Sequence, residues 1–141
     1  MEYILISACL LGINCRYNRI GKMNEKAKAL LEREDIVLIP VCPEQLGGMG
    51  TPREPSERKG DRVWNRKGED VTEHYRRGAQ EVLKLAGLYQ CSQAILKERS
   101  PSCGSKKIYD GSFSRTLTDG EGVTVELLRK HGIRVVGESE I

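Results

Sequence analysis

Three observations predict an α/β fold for this chain, doubly wound around a mostly parallel sheet of about four strands, with helices on both faces and two small hairpin insertions. Four short apolar runs rich in β-branched residues alternate with stretches of helical periodicity. The runs lack the in–out alternation of a half-exposed strand, so each reads as buried on both faces, as parallel strands are. Three of the runs lead into turns that carry a cysteine, at the strand ends where open α/β sheets bind their ligands. Right-handed crossovers then restrict the topology to a few doubly wound orders. A length of 141 residues fits one domain, 1–141, with a core of its own.

In chain order, residues 3–8 form the first strand, a short run with no polar alternation. Residues 9–21 follow as a loop with Gly12, Asn14 and Asn18. Asn24 can cap a helix whose Met23, Ala27, Leu30 and Leu31 share one face. The second strand covers 36–41, weakened near its end by Pro40, since proline is poorly tolerated inside a central strand. Residues 43–70 are rich in Gly, Pro and charge, and so long a connection in a compact unit is usually functional or disordered.

Within that connection, 62–71 can form a hairpin turning at Asn65 to Gly68. Thr72 then caps a helix with the apolar stripe Tyr75, Ala79, Val82, Leu83 and Ala86, closed by Gly87. The third strand covers 94–97. Residues 107–113 suggest a second hairpin with Asp110-Gly111 at its turn. Thr118 or Asp119 caps a last helix through Val123, Leu127 and Leu128, ending at Gly132, and 133–136 is the fourth strand.

Charged residues make up 30% and hydrophobic ones 38%, the balance of a globular chain. A net charge of +3 argues for no nucleic-acid partner, and the basic residues between Arg53 and Arg66 are diluted by Glu54, Glu57 and Asp61. No run approaches the roughly 18 apolar residues of a membrane helix. The first residues enter a strand with no basic region or cleavage site, so a cytoplasmic location with reduced thiols is expected. Five cysteines, an odd number, also leave no closed disulfide framework.

Cys9, Cys42 and Cys103 are far apart in sequence, yet the topology brings them to one sheet edge. Three convergent thiolates can hold an iron–sulfur cluster or a zinc ion. A 4Fe–4S cluster normally takes four, so three leave one iron open as a Lewis acid. Zinc needs a fourth ligand or a water, and the compact Cys-x-x-Cys knuckle of structural zinc sites is missing. The plain alternative is that small cysteines fill space at strand ends. Three of them, each in or beside a Gly/Pro/Ser turn, weigh against it. Cys15 is either a further ligand or a free thiol nearby, and Cys91, before the third strand, reads as structural.

Several motifs then point to a family. Ser7-Ala-Cys-Leu-Leu-Gly12 with Cys15-Arg-Tyr17, Pro40-Val-Cys-Pro-Glu-Gln-Leu-Gly-Gly48, Thr51-Pro-Arg53, Gly68-Glu-Asp-Val-Thr72, Ala94-Ile-Leu-Lys97, Ser100-Pro-Ser-Cys-Gly104 and Ile108-Tyr-Asp-Gly111 resemble the bacterial family described as domain of unknown function 523. The resemblance spans nearly the whole chain in order. It implies a thiouracil desulfidase with a 4Fe–4S cluster, whose ligands fall on Cys9, Cys42 and Cys103 and whose catalytic glutamate and serine fall on Glu44 and Ser100. The implied chemistry is a non-redox replacement of C=S by C=O, with release of sulfide. The implied substrate is a small molecule, a thiolated pyrimidine base or its nucleotide, and Arg16, Arg53 or Lys106 are candidates to bind a phosphate.

The rival reading is a non-catalytic iron–sulfur or metal-binding protein, a sensor or carrier, which has no use for Glu44. A zinc hydrolase or deaminase would need a histidine or a fourth thiolate near the site, and His74 and His131 fall within predicted helices away from the cysteine edge. Without the resemblance, Glu44 reads as a solvated loop carboxylate and Ser100 as a turn residue.

Overall fold

A computed structural model describes residues 1–141. The chain runs β1 (Glu2–Ser7), α1 (Glu25–Leu31), β2 (Ile36–Val41), α2 (Pro43–Leu46), β3 (Ser56–Lys59), β4 (Arg62–Asn65), α3 (Thr72–Leu88), β5 (Gln93–Leu96), β6 (Lys107–Tyr109), β7 (Leu117–Asp119), α4 (Val123–Lys130) and β8 (Arg134–Gly137). The central sheet has the order β2-β1-β5-β8 and is parallel throughout, as expected, with each strand within two residues of its predicted bounds. The order reverses at β1, so the crevice of this doubly wound sheet opens beyond the carboxyl ends of β1 and β5.

Alternation along β1 supplies both faces of the sheet. Ile4 and Ile6 pack with Ile95, Val136 and Ala27 under α1. Leu5 points the other way, to Val82, Ala86, Leu96, Val125 and Leu128 under α3 and α4. Each such fully buried Leu, Ile or Val stabilises the fold by about 1.5–3 kcal/mol. Asn24 caps α1 as expected, its Oδ1 accepting the N–H groups of Lys26 and Ala27 at 3.0 and 3.1 Å. Of that helix's expected apolar face, Ala27 and Leu30 meet the core while Leu31 is half exposed. Pro40 pairs with Ile6 on the outer strand β2, where a missing donor breaks no ladder.

The insertions differ from the expected ones. The hairpin is β3–β4, four residues in each strand, turning at Gly60-Asp61, so it starts six residues earlier than predicted. The Asn65–Gly68 turn exists, but beyond it only Trp64 and Asp70 form a bridge. Likewise β6 pairs with β7 across a loop of residues 110–116, not across a tight turn at Asp110-Gly111. Three predicted caps are wrong too. Thr72 is inside α3, where its hydroxyl accepts the Val63 N–H at 2.9 Å, and Asp70 accepts the Thr72 N–H at 2.9 Å in its place. Gly87 also lies within α3, which runs on to Leu88.

Thr118 and Asp119 belong to β7, and α4 starts after Gly122 with no side-chain cap. Its first amides are satisfied from another loop: Val123 donates to Pro101 O at 2.8 Å and Thr124 to Ser102 O at 2.9 Å. Gly122 permits this approach, since a Cβ there would lie 2.3 Å from the Ser102 carbonyl carbon. Gly78 on α3 does the same for α2, where a Cβ would lie 1.9 Å from Pro43 O. No helix is long and apolar enough to cross a membrane.

Candidate active site

Beyond the carboxyl ends of β1, β2 and β5 lies a cavity of about 450 Å³, lined by Cys9, Cys15, Cys42 and Cys103 among others. The parallel register explains the convergence. Ser7 lies opposite Val41, so β1 and β2 end level and release Cys9 and Cys42 at the same edge. Ser7 Oγ also accepts the Lys97 N–H at 2.8 Å, which ties the end of β1 to the loop carrying Cys103. Cys91 is buried away from the cavity in the α3–α4 side of the core, as expected for a structural residue.

Cys15 sits among the other thiols. It is buried, packs with Cys9 and Cys42, and its carbonyl accepts the Cys42 thiol at 3.7 Å. Hydrogen bonds to Cys42 and Cys9, followed by burial, push the Cys15 thiol far up, so it keeps its proton. Cys9 is lowered to about 6, chiefly by the hydrogen bond from Cys15 and then by Arg16, against the opposing effect of burial. Cys42 is lowered to about 7, again chiefly by Cys15, with burial opposing and the Gln45 N–H assisting. Burial raises Cys103 to about 12, offset in part by the hydroxyls of Ser102 and Ser7. The surroundings of Cys9 and Cys42 therefore favour the thiolate more than those of Cys103 do, and the thiolate is the form that ligates metals.

Glu44 is the second residue of α2, two residues after Cys42, and is held at both oxygens. Arg53 pairs with its Oε2, and Ser102 Oγ donates to its Oε1 at 3.2 Å. Tyr75 of α3 stands beside it in the cavity wall; burial, and then the nearby carboxylate, hold the phenol well above its usual range, so it stays protonated. Ser100 does not reach Glu44 directly. Its Oγ accepts the N–H groups of Ser102 and Cys103, both at 3.0 Å, and lies 3.0 Å from Ser102 Oγ. Ser102 is the junction: buried, its hydroxyl touches Ser100, Glu44 and, at 3.2 Å, the Cys103 sulfur. Sequence reasoning missed Ser102, although the Ser-Pro-Ser repeat before Cys103 was its only signal.

Of the three candidate phosphate binders, Arg53 is engaged by Glu44, and Lys106 pairs with Glu140 at 3.6 Å outside the cavity. Arg16 does line it, and its Nε is buried with no partner. Arg66, Arg99 and Arg115 line the cavity as well, from loops whose fold the sequence did not reveal. His74 and His131 stay out of it, with Nδ1 atoms on the carbonyls of Gly47 and Leu127 at 2.8 and 3.0 Å.

Residues 4–140 match the family model described as 2-thiouracil desulfurase. The chain is 45% identical over 148 positions to the uncharacterized protein YbbK of Bacillus subtilis (strain 168), covering 98% of this chain and 97% of that protein. Among solved structures it resembles the 4Fe–4S-dependent thiouracil desulfidase TudS with a TM-score of 0.93 and 43% identity, over 100% of this chain and 93% of that one.

Proposed function

The chain belongs to the 2-thiouracil desulfurase family, and from that premise we propose that it removes sulfur from a thiolated pyrimidine, replacing C=S by C=O and releasing sulfide, with the help of a 4Fe–4S cluster. The observation that carries the reading is Glu44, held by Arg53 and Ser102 within one hydroxyl of Cys103. A bystander carboxylate at a metal-carrier site needs no such fixation.

The donor set fits the cluster. Soft thiolates suit iron–sulfur centres, and an orphaned guanidinium Nε beside Cys9 suits an anionic group at the cavity floor. Cys9, Cys42 and Cys103 would hold it, and Cys15 would donate its one hydrogen bond to the Cys9 or the Cys42 sulfur, orienting a ligand from outside. When bound, the cluster supplies an open iron, a Lewis acid for the substrate's sulfur.

The remaining steps belong to the chain's own residues. Glu44 takes a proton from a water whose oxygen adds to the thiocarbonyl carbon. The adduct's hydroxyl then gives up its proton to the sulfur as C=O forms, and the C–S bond breaks with its electron pair on sulfur, which leaves as hydrosulfide. One water is consumed and one proton, the one taken by Glu44, is released for each hydrosulfide. From Glu44 the proton has a path through Ser102 Oγ to Ser100 Oγ, in steps of 3.2 and 3.0 Å. Arg53 keeps the carboxylate aimed, and Tyr75 adds a neutral donor beside it. Arg16, Arg66, Arg99 and Arg115 make the cavity cationic, which favours a nucleotide over the free base.

The test is sulfide release from 2-thiouracil, 4-thiouracil and 4-thiouridine monophosphate by protein purified without oxygen, beside Glu44→Gln. The reading expects sulfide from wild type and little from the variant, with equal iron in both. Equal behaviour of the two proteins would favour a carrier.

A further inference from the structure

Phe113 is the chain's one phenylalanine, and it lines the cavity from the loop between β6 and β7. It is half-buried yet belongs to none of the core clusters, so packing of the fold does not explain it. Its backbone φ is 57°, a left-handed conformation that is disfavoured for bulky side chains and, where it persists, tends to mark a functional site.

This conformation is held from the neighbouring hairpin. Glu57 of β3 is buried, and its Oε1 accepts the N–H groups of Gly111 and Phe113 at 3.0 and 3.1 Å. Burying a carboxylate is costly, and its hydrogen bonds to N–H groups are strong ones. The loop is also bonded within itself: Asp110 N–H donates to Thr116 O at 3.0 Å, and Asp110 Oδ1 accepts the Ser112 N–H at 2.9 Å. A hydrogen-bonded loop thus presents to the cavity its one aromatic ring without a polar group, the other aromatic lining residues being the tyrosines Tyr17, Tyr75 and Tyr109.

We propose that Phe113 is the stacking platform for the flat ring of the substrate, with Glu57 as the residue that positions it. The proposal deepens the desulfidase reading and rests on it. Any pyrimidine has a π-face, so stacking fixes the ring plane without consuming its hydrogen-bonding edges. Those edges, and the exocyclic sulfur, are left to the groups at the sheet edge.

The experiment is calorimetric binding of uracil, a ligand that is not turned over, to protein purified without oxygen, against dihydrouracil, whose saturated ring is puckered. Wild type is expected to favour uracil. Phe113→Ala and the bulkier Phe113→Leu are expected to weaken uracil binding about tenfold and to erase that preference, while Phe113→Tyr stays near wild type. Iron content and Tm, measured on each variant, show that the fold persists. Glu57→Ala is expected to weaken uracil less and to speed amide exchange at Gly111 and Phe113. Glu57→Gln, which can accept the same two N–H groups, restores both. Uracil binding unchanged in the Ala and Leu variants, or lost in parallel with dihydrouracil, overturns the stacking role. A wild type that binds no pyrimidine defeats the desulfidase reading itself, and the stacking role with it.

Discussion

The cavity has two walls of different origin. The inner one is the carboxyl edge of the sheet, where Ser7, Cys9, Cys42, Glu44 and the Ser100–Cys103 turn follow strands held in parallel register. The outer one comes from two insertions, and its members meet across long sequence distances, as Glu57 does with Gly111 and Phe113. The inner wall carries the reactive groups, and its geometry is tied to the core. The outer wall carries Phe113 and the cationic Arg66 and Arg115, groups that can sort ligands, on loops held by a few side-chain hydrogen bonds. Chemistry and selectivity are thereby separable, and changes in the two walls should fail differently.

The largest effect is expected at the inner wall. Cys103→Ala should remove both bound iron and activity, as measured by iron analysis and sulfide release, because it takes away one of the three thiolates that would hold the cluster. Next comes Glu44→Gln, expected to retain iron and to lower kcat by about 10²- to 10⁴-fold, the usual share of a general base. Gly122→Ala tests the support behind that wall. Its Cβ would lie 2.5 Å from Ser102 O, so the turn must shift. A stability loss of about 1–3 kcal/mol in denaturant unfolding, with reduced iron loading, is the expected outcome.

The smallest predicted effect concerns the contact between the chain after β8 and the loop after β5. Burial pushes Glu138 up, but the Lys97 ammonium at 2.6 Å and the Glu98 N–H at 2.7 Å outweigh it, leaving the carboxyl below its usual 4.5. A lowered carboxyl stabilises the fold above its unfolded value and loses that contribution as pH falls through the folded one. The stability gap between wild type and Glu138→Gln should therefore be about 1 kcal/mol or less at pH 7 and close as pH drops through 4 and below.

The inner wall was legible in the sequence because its information is local. An apolar run that stops at Cys9 or Cys42 announces both a strand and the place where it ends. Even Cys103, seven residues past β5, falls to the same edge by topology. The outer wall was not legible, because nothing near Phe113 says that its amide will meet Glu57. The failed cap at Thr118 or Asp119 has the same cause, since the amides that open α4 are satisfied by Pro101 and Ser102 from a distant turn. Tyr75 was readable as core from its helical stripe, while its place beside Glu44 depends on the close contact of α2 and α3 at Gly78. Ser102 was overlooked because two hydroxyls in one turn look interchangeable until one of them is buried against a carboxylate.

The most direct test of the central claim is iron and acid-labile sulfide per chain in protein purified without oxygen, measured together with sulfide release from 2-thiouracil. The account predicts about four of each per chain, lost in Cys103→Ala, with turnover that Glu44→Gln abolishes while keeping the iron. Zinc in place of iron, or no metal after anaerobic reconstitution, would contradict it.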